Sequence, residues 1–217
     1  MFEKKTNTSY TYRKPEFFNY WRFLFQHFVT FFYFLRLKIV YRLEVNGEEN
    51  FPKDNKYIVA PNHLSTLDPP LMGWVIPRGV AFMAKIELFN NPFMRWWLDW
   101  LGTFGVNREK LDPSTIKTIL SLKKTNWVLG IFPQGTRNPG NKLGKYSSAF
   151  ASIAKTTKCD IVPVGIIGTD KVKKWTPFSA KITVNIGKPI PYSDNPEETA
   201  KIWAEEVCKL ANLDNEQ

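Results

Sequence analysis

Tyr57-Ile58-Val59-Ala60-Pro61-Asn62-His63-Leu64-Ser65-Thr66-Leu67-Asp68-Pro69-Pro70 is the stretch that decides the fold. A short apolar run, Tyr57 to Ala60, gives way to a polar segment, and Pro69-Pro70 then opens a second apolar run from Leu71 to Ile76. The pattern predicts a buried strand, a loop and a helix. Such junctions lie at the carboxyl edge of a sheet, where α/β proteins place their chemistry. His63 is one of only two histidines in the chain. Asp68 lies five residues further on, too far round an ideal helix to share a face with it, because each residue turns about 100°. His63 is therefore expected on the loop and Asp68 near the helix start. In that arrangement the carboxylate folds back to accept a hydrogen bond from one ring nitrogen and fixes the tautomer. The other nitrogen is left to take a proton from a hydroxyl. A plainer reading stands beside this one: Asp68 before Pro69 is a good N-cap, and Ser65 with Asp68 has the spacing of a capping box. The two readings are compatible.

At 217 residues the chain suffices for one α/β domain with a full core and some N-terminal excess. Cys159 and Cys208 are far apart and have no metal-ligand spacing around them. That argues for a reducing compartment and against structural zinc or a disulfide framework. The net charge of +10 calls for an anionic partner: membrane lipid, nucleic acid or a phosphorylated substrate. Residues 1–42 hold eight Lys/Arg against Glu3 and Glu16, a net +6, and the remaining chain holds only +4. The division expected is 1–42, a basic tail with an interfacial membrane-docking helix or helical hairpin, and 43–217, the catalytic α/β domain.

Residues 1–15 are polar, basic and closed by Pro15, which reads as a mobile tail. From Phe17 to Tyr41 the chain is dense in aromatic residues, but Arg22, Gln26, His27 and Arg36 interrupt the run. A membrane span needs about 20 predominantly apolar residues, so the segment is expected to lie in the membrane interface. The plainer reading is a helix that caps the soluble core. His27 belongs to this aromatic run and is expected to pack there.

Further strands are expected at Leu43–Gly47, Val80–Ala84, Gly102–Val106, Trp127–Phe132, Ile161–Ile167 and Ala180–Ile186. Helices are expected at Pro92–Leu101, Pro113–Lys124, Lys145–Lys155 and Pro196 to about Leu210, the last capped by Asn195. The alternation predicts an α/β layered domain with a mixed sheet flanked by helices. Lys85, Arg108 and Arg137 each follow an apolar run, as His63 does. If those strand ends share one edge of the sheet, a histidine base faces a cluster of cations. Gly135 would admit close backbone approach to a ligand, Thr136 adds a hydroxyl, and Arg137 can hold a phosphate bidentately. Each cation alone reads as a solvated surface charge.

Taken together, these blocks resemble the glycerophospholipid acyltransferase family, specifically the 1-acylglycerol-3-phosphate acyltransferases. Asn62-His63 with Asp68 matches the family's NHx4D motif, and Lys85-Ile86-Glu87-Leu88-Phe89 is similar to its K-x-E-L-F block. Gly105-Val106-Asn107-Arg108, Phe132-Pro133-Gln134-Gly135-Thr136-Arg137 and Val162-Pro163-Val164 resemble the motifs that follow, in the family's order. Gln134 stands where that family usually has glutamate, and Asn107 where an acidic residue is common. The resemblance implies acyl transfer from acyl-CoA or acyl-carrier protein to the sn-2 hydroxyl of lysophosphatidic acid. His63 and Asp68 would be catalytic, and Lys85, Arg108, Gln134, Gly135, Thr136 and Arg137 would bind substrate. It also implies a membrane surface as partner, a cytoplasmic-face peripheral or monotopic location, no cofactor beyond the acyl donor and no nucleic acid. No serine or cysteine sits in a nucleophile-elbow context, which agrees with direct transfer. Two alternatives are open: a related acyltransferase with a lysophospholipid or glycerol-3-phosphate acceptor, and a non-enzymatic basic membrane- or nucleic-acid-binding protein.

Overall fold

The computed structural model describes residues 10–106, 113–173 and 176–215. Its centre is β2 (Tyr57–Pro61), the strand of the opening stretch, in which every residue is buried. It lies between β6 (Asp160–Ile167) and β5 (Trp127–Gly130) and is parallel to both. Beyond β5 come β3 (Gly79–Lys85) and β4 (Phe104–Val106), again parallel; beyond β6 come β7 (Thr183–Ile186), antiparallel to β6, and β1 (Glu44–Asn46), parallel to β7. The sheet is thus mixed and seven-stranded, in the order β1-β7-β6-β2-β5-β3-β4. Asn46-Gly47 ends β1 as expected, with Gly47 in the left-handed region, but leads into a 3-10 turn, Glu48–Asn50.

A parallel centre has to be covered on both faces, and the side chains alternate accordingly. Tyr57 and Val59 face a cluster with Leu37, Tyr41, Leu71, Met72 and Val184. Ile58 and Ala60 face the other cluster, with Ile119, Phe150, Ala154, Trp203 and Val207. The first layer comes from α1 (Tyr20–Tyr41) and α2 (Asp68–Val75); the second from α4 (Pro113–Leu122), α5 (Ala149–Thr157) and α6 (Pro196–Ala211). Trp203, wholly buried, donates its indole N–H to the carbonyl of Ala60 at 2.8 Å and fastens α6 to the central strand. α3 (Pro92–Trp100) packs beside α1, capped by the Asn91 side chain.

β4, β5 and α4 are each two residues shorter than expected, and three larger expectations shift for visible reasons. Residues 10–15 are not a free tail: Tyr10 accepts from the N–H of Gly105, Thr11 is buried, and Arg13 pairs with Asp99 while its backbone bonds Thr118 and Ser121. Burial pushes the Asp99 carboxyl upward, against the pull of Arg13 and Arg22, and lowers the Arg13 guanidinium. α5 begins at Ala149 rather than Lys145, because the Ser147 N–H is drawn to the carbonyl of Pro133. β7 begins at Thr183 rather than Ala180, because the backbone at Phe178 and Ile182 bonds the end of α1 at Val40 and Tyr41.

α1 is one helix, seated on the domain by apolar Leu37 and Tyr41 near its end and by a polar anchor in its first half. Gln26, 3% exposed, donates to the carbonyls of Val80 and Leu101 at 2.8 Å and accepts from the Val80 N–H at 3.0 Å. Gln26→Leu would leave those three backbone groups without their partner inside a packed interface. The expected loss is about 2–4 kcal/mol from unsatisfied buried polar groups, read as a lowered midpoint of thermal unfolding.

Candidate active site

The parallel strands β2, β3, β4, β5 and β6 all end on the same edge. His63 follows β2, Lys85 closes β3, and the segment from Pro133 to Arg137 follows β5, so the expected convergence on one edge holds for these residues. Arg108, with Asn107, lies outside the described residues.

The loop between β2 and α2 is fixed from several sides. Asn62 is fully buried; its amide donates to the carbonyl of Ile166 at 2.9 Å and accepts from the Ile166 N–H at 2.6 Å. A side chain thus extends the β2–β6 pairing by one step after the strand has ended. His63 donates its backbone N–H to Oε1 of Gln134 at 2.6 Å and accepts from the N–H of Asn138 at 2.8 Å. Its ring stacks on Phe132 at 4.1 Å between centroids, and Phe132 stacks in turn on Phe82.

Asp68 is the first residue of α2 and is fully buried. Its carboxylate does not cap the helix that follows; Oδ2 turns back and accepts from His63 Nδ1 at 2.8 Å and from the N–H groups of Leu64 and Ser65, both at 2.7 Å. The contact with Ser65 keeps the spacing of a capping box, but α2 starts at Asp68 with Leu67 at its N-cap, so the bond braces the loop and not the helix end. The other oxygen, Oδ1, accepts from the hydroxyl of Thr169 at 2.6 Å. Four donors converging on one carboxyl group is the pattern of an acceptor-only, ionised carboxylate. Nδ1 of His63 is committed to Asp68, so Nε2 is the nitrogen left for a substrate.

His63 lines a cavity of about 640 Å³. Lys85 and Gly135 line it too, and its walls are apolar: Val29 and Tyr33 from α1, Trp97, Leu98 and Leu101 from α3 and its end, Phe150 and Ile153 from α5. Lys85 is mostly exposed and 3.4 Å from Glu87, a surface pair of small energetic weight. Thr136 and Arg137 are exposed beside the cavity and do not line it. Gly135 has a positive φ of 67°, and a Cβ there would meet nothing within 4 Å. The backbone conformation by itself favours glycine in this turn.

Gln134 is spent on the protein itself: besides accepting from His63, its amide donates to the carbonyl of Leu143. Only an amide can serve both partners, since a carboxylate at that position has no hydrogen to give. Sequence reasoning did not foresee the bracing roles of Asn62 and Thr169. Asn62 was visible as part of a motif; Thr169, 101 residues from Asp68, carried no local signal.

Comparison with known proteins accords with this geometry. The acyltransferase family model matches residues 42–167, more than half of the chain. The chain belongs to the acyltransferase family. It is 32% identical over 163 residues to the 1-acyl-sn-glycerol-3-phosphate acyltransferase of Bacillus subtilis, a match covering 73% of this chain and 80% of that protein. It is 33% identical over 174 residues to the enzyme of the same name from Streptococcus pneumoniae, with 76% of this chain and 64% of that longer protein covered. The crystal structure of the 1-acyl-sn-glycerophosphate (LPA) acyltransferase PlsC from Thermotoga maritima aligns with a TM-score of 0.62, over 90% of this chain and 94% of that one, at 23% identity. At that identity the likeness concerns the fold.

The backbone pose of His63 rests on Gln134. Gln134→Ala removes both braces and is expected to cost about 1–3 kcal/mol of stability. Turnover should fall more than substrate KM rises, measurable by steady-state kinetics beside a melting curve.

Proposed function

We propose that this acyltransferase moves a fatty acyl group from an acyl thioester, carried by CoA or by acyl-carrier protein, to the sn-2 hydroxyl of 1-acylglycerol-3-phosphate, giving phosphatidic acid. The observation that carries the reading is the His63 Nδ1–Asp68 Oδ2 contact of 2.8 Å, with the imidazole on the wall of an apolar cavity. The names of the bacterial relatives supply the substrate class.

Nε2 of His63 takes the proton of the acceptor hydroxyl as its oxygen attacks the thioester carbonyl. The tetrahedral intermediate collapses, the carbon–sulfur bond breaks, and the thiolate leaves with the proton that His63 returns. Asp68 holds the imidazole in one tautomer and stabilises the imidazolium formed midway. Lys85 and Arg137, with Arg108, are the proposed partners of the acceptor phosphate. The apolar walls from α1, α3 and α5 suit an acyl chain.

Membrane docking belongs to the same reading. α1 buries Gln26 and Thr30 against the domain together with Leu37 and Tyr41, while Trp21, Phe28, Phe32 and Ile39 are each more than half exposed. Phe93 and Trp96 of α3 extend the exposed aromatic surface. By length and apolarity Tyr20–Tyr41 would cross a bilayer, but the Gln26 bonds hold it along the domain, which favours a monotopic helix in the interface. Free Cys159 and Cys208 suit the reducing, cytoplasmic side.

Acyl transfer from oleoyl-CoA to lysophosphatidic acid in detergent micelles tests the chemistry. His63→Ala should lower turnover by about 10²- to 10⁴-fold, the usual contribution of a general base. Equal rates for the two proteins, or transfer to lysophosphatidylcholine but not lysophosphatidic acid, would overturn the reading. Docking is tested with the triple substitution Trp21→Ser, Phe28→Ser and Phe32→Ser, which changes exposed side chains alone. It should release the protein from liposomes containing anionic lipid while leaving its micellar activity close to that of the parent; undiminished co-sedimentation would show that another surface binds.

A further inference from the structure

The hydrogen bonds on Asp68 are unevenly distributed. Three donors, His63 Nδ1 and the Leu64 and Ser65 N–H groups, share Oδ2 and come from the same short loop. Among the described residues, the single contact on Oδ1 comes from the far side of the sequence: the hydroxyl of Thr169 at 2.6 Å, with both residues buried to within 1% of full burial. Thr169 opens a 3-10 turn, Thr169–Lys171, directly after β6. Gly168 precedes it with φ at 83°, and a Cβ there would lie 2.2 Å from the carbonyl oxygen of Lys181, so the chain turns where only glycine fits. Asp170 in the same turn accepts the Gly140 N–H at 3.1 Å, tying the turn to the segment after Arg137 as well. The turn is thus anchored to β6 and bound to both loops of the site.

A carboxylate turns about its terminal torsion in a broad, roughly two-fold well. Donors gathered on one oxygen leave that rotation weakly restrained; a donor on the other oxygen fixes the plane. From this we infer that Thr169 is a positioning residue for the transfer reaction. Its hydroxyl holds the Asp68 carboxylate plane so that Oδ2 aims at His63 Nδ1, and with it Nε2 at the acceptor hydroxyl. The inference rests on the proposed role of His63 as base and adds a residue that the motifs around His63 and Gly135 do not contain.

Thr169→Val keeps shape and removes the hydroxyl; Thr169→Ser keeps the hydroxyl. Hydrogen bonds to charged groups of this kind correspond to a turnover loss of about 10- to 100-fold. Thr169→Val should show that loss at nearly constant KM for donor and acceptor, and Thr169→Ser should restore most of it. In an Asp68→Ala background Thr169→Val should have no further effect, since it acts through Asp68. A second readout is independent of turnover. With nitrogen-15 histidine, the protein shows two imidazoles, His27 and His63, told apart by His63→Ala. The Nδ1–H resonance of His63 should shift or broaden in Thr169→Val and return in Thr169→Ser. An unchanged resonance with parental turnover would overturn the inference, as would an equal fall in the Asp68→Ala background. If the parent protein itself transfers no acyl group, the proposed function fails, and the resonance still decides whether Thr169 governs the His63–Asp68 contact.

Discussion

A fully buried carboxylate is the constraint on which the active edge is built. Leaving a charge of that kind unpaired inside a protein costs several kcal/mol, so the surroundings of Asp68 have to supply donors from every side. They do so by bending the 63–65 loop back over α2 and by bringing the turn after β6 against it. The same requirement explains why the histidine is so firmly oriented. Its ring is held by Asp68 on one edge and Phe132 on one face, and its backbone by Gln134 and Asn138. Electrostatic satisfaction of Asp68 and fixed orientation of His63 are met by one set of contacts.

The central junction was legible because its signals are local. An apolar run, a polar loop and a proline pair specify strand, turn and helix without reference to anything distant, and the spacing of His63 and Asp68 limits how they meet. The convergence of Lys85 and the Gly135 turn on the same edge followed from strand ends in a largely parallel sheet. What stayed hidden depends on register. Asn62 could be assigned to β6 only once Ala60 was known to face Pro163, and Thr169 reaches Asp68 from a turn that the sequence marks with little beyond Gly168. Residues 10–15 looked like a tail because they are polar; their partners, Asp99, Ser114 and Thr118, come about a hundred residues later in the chain. Gln134 read as a departure from a familiar motif, whereas in three dimensions its two-ended amide spans two loops.

The N-terminal helix shows how composition alone can mislead about amphipathicity. Sorting its residues into apolar and polar faces places the aromatic face inward by the usual rule for soluble helices. The structure divides the apolar residues between both faces: Leu37 and Tyr41 are buried with Gln26 and Thr30, Trp21, Phe28 and Phe32 face outward, and the carbonyls of Val80 and Leu101 take the Gln26 amide. Arg22, which in the sequence interrupts the apolar run, is drawn into this interface too, with its guanidinium on the carbonyl of Asp99 and over the ring of Phe17.

The seat of α1 also bears on how the polypeptide is made. The residues that receive Gln26 lie at Val80 and Leu101, so the helix leaves the ribosome well before its docking site exists. At ordinary translation speeds of about 5–20 residues per second, the wait for some sixty further residues is roughly 3–12 s. Throughout that interval the side of the helix that the domain later covers, Leu37 and Tyr41 with Gln26 and Thr30, has no protein surface against it, and the outward aromatics stand bare beside it. Biogenesis therefore favours an early resting place at a lipid interface or on a holdase, before the sheet closes beneath the helix.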